Sequence, residues 1–381
     1  MKRFITEELL PGMVTAQPVC THSGQLIMNS GVTLTNRLIE RIDFYSIKNV
    51  MIEDDSPLAE AIDLVPNVPD IPNMDAALVN IPQTEDVPNP SYSQKIKQSP
   101  KFKEFQVSYN HKIEDVKGSL DDILTSESIN SAELLDDTMN LLNASSLNTI
   151  ELFDMLHNMR QVDDSIYAHS LNVSLIARVL GKWLKLSNEE IDNLTLAGLL
   201  HDIGKIKIPS SILNKPGPLS DSEFNIVKMH PKLGYDSLLN TNLPLSVKQA
   251  VLMHHERCDG SGYPLGLTTN QLDDFSMIIA IADVYDAMTA ARAYRKPLCP
   301  FQVIASFEND GLQKYNPHFI LTFLERIANT YQHNRVLLSN GCIGTIVLLN
   351  QSHLSHPTLQ MDDGTFLDLS THHDLSIVAV V

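Results

Sequence analysis

Between residues 155 and 290, ionisable side chains recur on helical faces that are otherwise apolar. The stretch "IDNLTLAGLLHDIGK" has the period of an apolar helix and ends in His201, Asp202 and Lys205. The remaining members of this set lie on further predicted helices and are His169, His230, His254, His255, Asp283 and Asp286. Burying so many unpaired polar groups would cost several kcal/mol apiece, so the sequence predicts that the fold gives them a shared partner.

A metal centre is the partner that these side chains indicate. Each histidine taken alone is better interpreted as a hydrogen-bonded core or surface residue, but their number on several helices favours shared metal ions. Imidazoles and carboxylates without a thiolate suit iron, manganese, zinc or nickel. Asp202 could bridge two metal ions, which would then lie about 3.5–4 Å apart.

A lysine beside two cations is repelled unless an anion also binds, and Lys205 shares the helical face of His201 and Asp202. We therefore expect a phosphate substrate. The string "IGK" is not a P-loop, since it lacks the preceding glycine spacing. Arg292 and Arg295 follow in "RAYRK" and indicate a second positive group, with a solvated helix end as the alternative. The net charge of −18 disfavours a nucleic-acid polymer as ligand.

Composition and periodicity predict a mainly α chain with a small N-terminal α/β module and a small C-terminal β extension. The expected segments are the module at 1–55, a proline-rich linker at 56–102, connecting helices at 103–154, a helical domain at 155–334 and the β extension at 335–381. Helix starts are predicted by the capping boxes Ser187 with Glu190 and Ser220 with Glu223. No apolar run has the length of a membrane span and no signal peptide is apparent, so we expect a cytoplasmic protein.

The motifs "HDIGK", "HHERCDGSGYP" and "IADVYDAMTAARAYR" together resemble the HD-GYP domain, a subgroup of the HD superfamily of metal-dependent phosphohydrolases. The resemblance implies a helical HD-type core and hydrolysis of cyclic di-GMP to pGpG, or on to GMP, by a metal-bridging hydroxide. The metal ligands that it implies are His169, His201, Asp202, His230, His254, His255 and Asp283.

The resemblance also implies roles beyond the metal ligands. Asp202 and Lys205 would be catalytic, and the substrate would be bound by Lys205, Asp286, Arg292 and Arg295. The loop motif of Gly262, Tyr263 and Pro264 would contact partners, including diguanylate cyclase (GGDEF) domains. Members with three metals carry a glutamate where this chain has Ser165, so we expect two divalent ions, with iron or manganese favoured.

Two other functions stay open on the sequence. One is a catalytically slow or silent cyclic di-GMP sensor that acts through protein partners, although the complete ligand set disfavours a degenerate site. The other keeps the chemistry but acts on another cyclic dinucleotide or on pGpG. Long helices around residues 110–160 make a homodimer plausible. His353, His356, His372 and His373 lack a carboxylate partner in the sequence and are expected to be surface residues.

Overall fold

The computed structural model describes most of the chain outside residues 54–91. The described residues are 2–10, 12–20, 26–34, 38–39, 42, 47, 49–53, 92–126, 130–145, 147–159, 166–213, 215, 218–290, 298–310 and 313–381. They form two compact units. The first contains the N-terminal module and Ser210–Phe224, and the second contains Pro88–Pro209, Asn225–Ala291 and Pro297–Val381.

The second unit is mainly helical, as the sequence predicts. The described helices that follow the N-terminal module are α1 (Tyr92–Gln98), α2 (Pro100–Ser126), α3 (Ser131–Ser145), α4 (Thr149–Met159), α5 (Ile166–Trp183), α6 (Asn188–Leu200), α7 (Ser210–Leu213), α8 (Asp221–Val227), α9 (His230–Leu238), α10 (Leu245–Met253), α11 (Asp274–Thr289), α12 (Pro300–Asp310) and α13 (Pro317–Thr330). Helix α7 and the first residues of α8 belong to the first unit, and the other helices belong to the second. A 3-10 helix, Ile203–Lys207, follows α6.

Helix α5 lies at the centre of this unit. It packs against α6 and α11, and α2 also contacts it. Most of its residues are buried, and the apolar ones among them join one core with the buried side chains of α2, α6, α10 and α11. Burial of each large apolar side chain contributes about 1.5–3 kcal/mol, so the polar residues on α5 are held in a rigid setting.

A five-stranded antiparallel sheet completes the second unit and confirms the predicted β extension. Its strands are β5 (Arg335–Leu338), β6 (Ile343–Leu348), β7 (Thr358–Met361), β8 (Phe366–Asp368) and β9 (Ile377–Val380), in the order β8-β7-β6-β5-β9. Alternating residues such as Val336, Leu338 and Ile346 face the common core. The tight connections lie at the dipeptides Asn340–Gly341 and Asp363–Gly364, which are typical of hairpin turns, and both glycines have a positive φ.

The N-terminal module contains two short antiparallel strand pairs. Strand β1 (Lys2–Ile5) pairs with β4 (Asn49–Ile52), and β2 (Val19–Cys20) pairs with β3 (Leu26–Met28). A small separate core, which includes Phe4, Met13 and Ile52, lies between them. The strands agree with the predicted α/β module, and the stretch "TLTNRLIERIDFYSI", whose apolar spacing predicts the helix of that module, lies largely outside the described residues.

Two predicted boundaries differ from the structure. Residues 92–98 and 100–102, assigned to the linker, are helical, while the rest of the linker up to residue 91 lies outside the described part. The helix predicted after the Ser220 capping box is two helices, α8 and α9, because Pro231 has no N–H to continue the helical ladder from Val227.

Candidate metal centre

Three histidines of the predicted ligand set follow the ends of helices. His201 comes directly after α6, His230 three residues after α8, and His254 directly after α10. The last carbonyls of a helix have no partner within the helix. Each histidine uses such a carbonyl three residues earlier, with Nδ1 at 2.8 Å from Gly198 O, 2.8 Å from Val227 O and 2.9 Å from Val251 O, respectively.

These contacts settle which ring nitrogen is available for a metal. A carbonyl only accepts, so Nδ1 must carry the proton in all three rings, and Nε2 of the neutral ring is then a lone pair. A second partner that holds a metal-binding histidine in one tautomer is a usual feature of metal sites.

Asp202 lies at the centre of the histidine cluster and is 2% exposed. Its Oδ1 is 3.1 Å from His230 Nε2 and 3.8 Å from His254 Nε2. Its Oδ2 is 3.4 Å from His201 Nε2 and 3.7 Å from His169 Nε2. The two carboxylate oxygens thus face different pairs of histidines, as expected of a residue that bridges two metal ions.

His169, Asp283 and His255 extend the cluster. His169 Nε2 is 3.0 Å from Asp283 Oδ1, and the other oxygen of Asp283 is 3.7 Å from His255 Nδ1. The ligand atoms group around two positions that share Asp202. One group is His169, His201 and Asp202, and the other is Asp202, His230, His254 and His255. The structure therefore brings all seven predicted ligands together.

Unsatisfied polar atoms show that these residues fit a bound cation. His201 Nε2 and Asp202 Oδ1 are buried and have no hydrogen-bond partner. The Nε2 atoms of His230 and His254 are 3.2 Å apart, although Nδ1 of each ring donates its hydrogen bond to a backbone carbonyl. Lone pairs that face each other in a buried site repel, and a divalent ion that both rings ligate removes the repulsion.

The charge states of Asp202, His254 and His255 agree with this interpretation, and the proton on His169 Nε2 is the one that a metal ion would displace. Burial, reinforced by the neighbouring imidazoles, lowers the pKa of His254 and His255 well below the ordinary value, so both are neutral at pH 7. Burial raises the pKa of Asp202, but Lys205 and His201 outweigh it and hold the pKa well below the usual range. Burial also lowers the pKa of His169, and hydrogen bonds with Asp283 and Asp286 more than offset it, raising the value to about 9.

Lys205 lies where the sequence placed it. It is one turn of the 3-10 helix beyond Asp202, and its Nζ is 2.5 Å from Asp202 Oδ2. The side chain is 22% exposed, so part of it reaches solvent. Gly204 lets this segment pack tightly, since a Cβ at this position would lie 1.9 Å from the carbonyl oxygen of His230.

Asp286 lies behind His169. Its Oδ2 is 2.7 Å from His169 Nδ1, on the opposite edge of the ring from Asp202 and Asp283, and its Oδ1 accepts from Asn172 Nδ2 at 2.8 Å. Asp286 is 1% exposed. These contacts support a role in orienting His169 and do not support the predicted role in substrate binding. Arg292, Arg295 and Ser165 lie outside the described residues.

The Gly262–Tyr263–Pro264 loop covers one side of His255. The Tyr263 ring stacks on His255 with centroids 4.6 Å apart, and Lys228 Nζ is 5.2 Å from the Tyr263 centroid. Buried Glu256 accepts hydrogen bonds from the loop N–H groups of residues 265, 266 and 267. Gly262 is required here, because a Cβ would lie 2.4 Å from Glu256 Cα.

Sequence reasoning missed Asn172, Lys228 and Glu256. Asn172 follows His169 by three residues on α5, so its place on the same buried face was a signal that could have been used. Glu256 lies inside a quoted motif and Lys228 next to His230, but nothing in a single sequence shows which loop or ring they contact.

The C-terminal histidines lie apart from this cluster. In the part of the chain that the structure describes, His353, His372 and His373 are exposed and His356 is half-buried. His353, His356 and His373 line a cavity of about 260 Å³ with Glu308 and Ser355. Among the described residues, the groups close enough to share a metal ion are the two around Asp202.

Comparison with known proteins agrees with the geometry. Residues 130–319 match the family model described as an HD domain. The chain is 33% identical over 227 residues to a cyclic di-GMP phosphodiesterase of Pseudomonas aeruginosa, covering 59% of this chain and 54% of that protein. It is 33% identical over 191 residues to a cyclic di-GMP phosphodiesterase of Thermotoga maritima, covering 49% and 51%. It is 44% identical over 134 residues to a 3'3'-cGAMP-specific phosphodiesterase of Vibrio cholerae, covering 34% and 30%.

The helical core that carries the histidine–aspartate cluster is an HD domain. With the Gly262–Tyr263–Pro264 loop seated against the cluster, the chain belongs to the HD-GYP family. The chain spans about half the length of the first two relatives. Among the described helices, none combines the length and apolar character needed to cross a membrane.

Proposed function

We propose that this protein is a metal-dependent phosphodiesterase that hydrolyses cyclic di-GMP to pGpG, with GMP as a further product if the second bond is also cleaved. The observation that carries the proposal is the division of the Asp202 carboxylate between two sets of buried imidazole nitrogens. Such an arrangement can hold two divalent ions side by side, as hydrolases of phosphate esters do. We propose iron or manganese, with zinc and nickel as alternatives.

The named activities of the relatives support this substrate class. Two of them are cyclic di-GMP phosphodiesterases, and a third is specific for 3'3'-cGAMP. Each match covers only part of the relative. Cyclic dinucleotides are therefore the class we propose, with cyclic di-GMP as the first choice.

The side chains of the cluster would bind either the metal ions or the phosphate. His169, His201, His230, His254, His255 and Asp283 would ligate the ions, with Asp202 between them. Divalent ions in this position would acidify a bound water and neutralise phosphoryl oxygens. Lys205, held at Asp202 but partly exposed, would bind a non-bridging phosphate oxygen and stabilise the charge that grows there.

Other parts of the function remain predictions. We propose Arg292 and Arg295 as ligands of the second phosphate, on the sequence alone. Binding of diguanylate cyclase domains at the Tyr263 loop, a homodimer and a cytoplasmic location are likewise predictions. Asp286 we assign to the orientation of His169, because its carboxylate contacts that ring and Asn172.

The test uses the full chain, purified without oxygen and analysed for metal content. Cyclic di-GMP, pGpG and 3'3'-cGAMP are offered separately, and products are separated by chromatography. We expect about two metal ions per chain and pGpG from cyclic di-GMP. The D202A variant should lose metal and turnover together, because it removes the bridging ligand.

The outcomes separate the proposals. Metal-loaded protein that binds cyclic di-GMP without forming product would overturn the proposed phosphodiesterase activity and favour a sensor of cyclic di-GMP. Faster turnover of 3'3'-cGAMP would keep the chemistry and correct the substrate. A D202A variant with full metal content and rate would contradict the role of Asp202.

A further inference from the structure

Four buried side chains form a continuous line of hydrogen bonds from α2 to the metal ligand His169. The Tyr109 hydroxyl donates to Asn172 Oδ1 at 2.6 Å, and Asn172 Nδ2 donates to Asp286 Oδ1 at 2.8 Å. Asp286 Oδ2 accepts from His169 Nδ1 at 2.7 Å. Tyr109 and Asn172 are 0% exposed, Asp286 is 1% and His169 is 9% exposed, so water does not compete along this line.

The chemistry of Asn172 gives the line a direction. An amide side chain has one accepting end and one donating end. Its donating end faces the Asp286 carboxylate, which only accepts, so its oxygen must face a donor. Tyr109 supplies that donor, with the Ala168 carbonyl as a more distant acceptor at 3.3 Å. Without the hydroxyl, the amide loses the contact that holds it in this orientation.

Asp286 transmits the orientation to the ring. A carboxylate on Nδ1 keeps the proton on that nitrogen and directs Nε2 towards Asp202 and Asp283. The carboxylate is itself held by Asn172, three residues beyond His169 on α5. A shift of the amide therefore changes the direction in which His169 presents its ligand atom.

We propose that Tyr109 is a positioning residue of the metal centre, acting through Asn172 and Asp286 on His169. The inference rests on the proposed role of His169 as a metal ligand. Tyr109 belongs to α2 and precedes residue 130, where the match to the HD-domain family model begins. The functional unit around the metal ions thus includes a connecting helix outside the predicted catalytic domain of residues 155–334.

The experiment compares the full-length Y109F variant with the wild type in Mn²⁺ titrations of metal-free protein. Removing a direct outer partner of a metal-binding histidine weakens metal affinity roughly 10–100-fold, so a contact further out should weaken one Mn²⁺ binding step about three- to tenfold. The visible spectrum of Co²⁺-loaded Y109F should change as well, since the geometry around His169 changes. Neither readout depends on turnover.

A matched control separates positioning from general stability. Y331F removes another buried tyrosine hydroxyl in the same unit, where the ring packs against Phe301 with centroids 6.2 Å apart. We expect Mn²⁺ affinity and the Co²⁺ spectrum of Y331F to match the wild type. An equal loss of affinity in Y331F and Y109F would overturn the proposal, because it would show a general effect of lost stability.

A double-mutant cycle tests the route. If Tyr109 acts through Asn172, the Y109F/N172A double variant binds Mn²⁺ no more weakly than N172A alone. Additive losses, or unchanged Mn²⁺ binding in Y109F, would overturn the proposal. Mn²⁺ binding does not involve the substrate, so the test stands even if the protein fails to hydrolyse cyclic di-GMP. Normal turnover by the wild type together with unchanged Mn²⁺ affinity of Y109F would refute the positioning role of Tyr109 and leave the proposed function in place.

Discussion

At the residue scale, the contact between Lys205 and Asp202 has an unusual electrostatic setting. The ammonium group lies 2.5 Å from Asp202 Oδ2 and beside the atoms that would ligate cations. A positive charge there opposes metal binding and favours a negatively charged ligand. Its retention is best explained by a phosphate that binds to the lysine and the metal ions together.

Replacement of Lys205 by methionine keeps most of the length of the side chain and removes its charge. We expect K205M to retain or increase its metal content, and to lose about 10²–10³-fold in kcat for cyclic di-GMP, as for the loss of one donor to a developing oxyanion. Metal analysis and steady-state kinetics on one preparation measure both.

The matched control is K207M, since Lys207 is on the same 3-10 helix and exposed. Its kcat should stay near that of the wild type. If the kcat of K205M is unchanged, or falls by the same factor as the kcat of K207M, Lys205 has no specific role in the reaction.

The clustering of histidines and aspartates was predictable at this scale, and the side chains that support the cluster were not. Polar residues on apolar helix faces marked His201 and Asp202, because burial without a partner is unfavourable. Asp286 carried the same signal, but periodicity shows only which face a residue occupies. Whether its carboxylate meets substrate or the back of the His169 ring depends on how α5 and α11 pack.

At the element scale, the ends of helices place several side chains of this site. The capping box of Ser187 and Glu190 was predicted and starts α6 as expected. The break between α8 and α9 was not predicted, although Pro231 was the signal for it. Since Pro231 offers no N–H, the Val227 carbonyl accepts from His230 Nδ1 instead, at 2.8 Å. A proline inside a helical pattern therefore helps to place a ligand.

Helix α4 carries a histidine outside the metal centre with a pH effect of its own. Burial, and then the charge of Lys97 on α1, lower the pKa of His157 to about 4. The pKa of His157 is therefore lower in the folded protein than in the unfolded chain, where it is about 6.5. Below pH 6.5 the unfolded chain takes up a proton that the folded protein does not, so the free energy of unfolding is highest above pH 6.5 and falls as the pH approaches 4.

We expect the wild type to lose more stability than H157Q between pH 7 and pH 5, by on the order of 1 kcal/mol, because only the wild type must protonate His157 on unfolding. Denaturant unfolding of both proteins at the two pH values measures the difference. The histidines of the cluster around Asp202 are the same in both proteins, so their contribution cancels in the difference. Parallel losses in the two proteins would show that His157 is not held neutral.

At the scale of the whole molecule, periodicity predicted the order of segments better than their limits. The change from helical to alternating pattern placed the start of the β extension at residue 335, where β5 begins. The catalytic domain was predicted to begin at 155, yet Tyr109 on α2 and Phe153 on α4 lie in the same core as α5. Contacts between residues distant in sequence leave no periodic signal, so a single sequence does not show which connecting helices belong to the core.

That shared core makes metal binding a property of the whole second unit. Because the seven proposed ligands come from several helices, a bound ion would stabilise the folded state and not the unfolded chain. At a free Mn²⁺ concentration 100-fold above the dissociation constant, one ion adds about 2.7 kcal/mol. For a unit of this size that corresponds to a rise in Tm of roughly 5–10 °C, which a chelator should reverse.

Two asparagine variants give this prediction its controls in thermal unfolding followed by circular dichroism. D202N keeps the shape of the bridging residue without its charge, so most of the Mn²⁺-induced rise should disappear. D362N removes an exposed carboxylate that pairs with Arg335 on the sheet, and it should keep the full rise. An equal rise in D202N and D362N would mean that Mn²⁺ stabilises the protein from somewhere other than the cluster around Asp202.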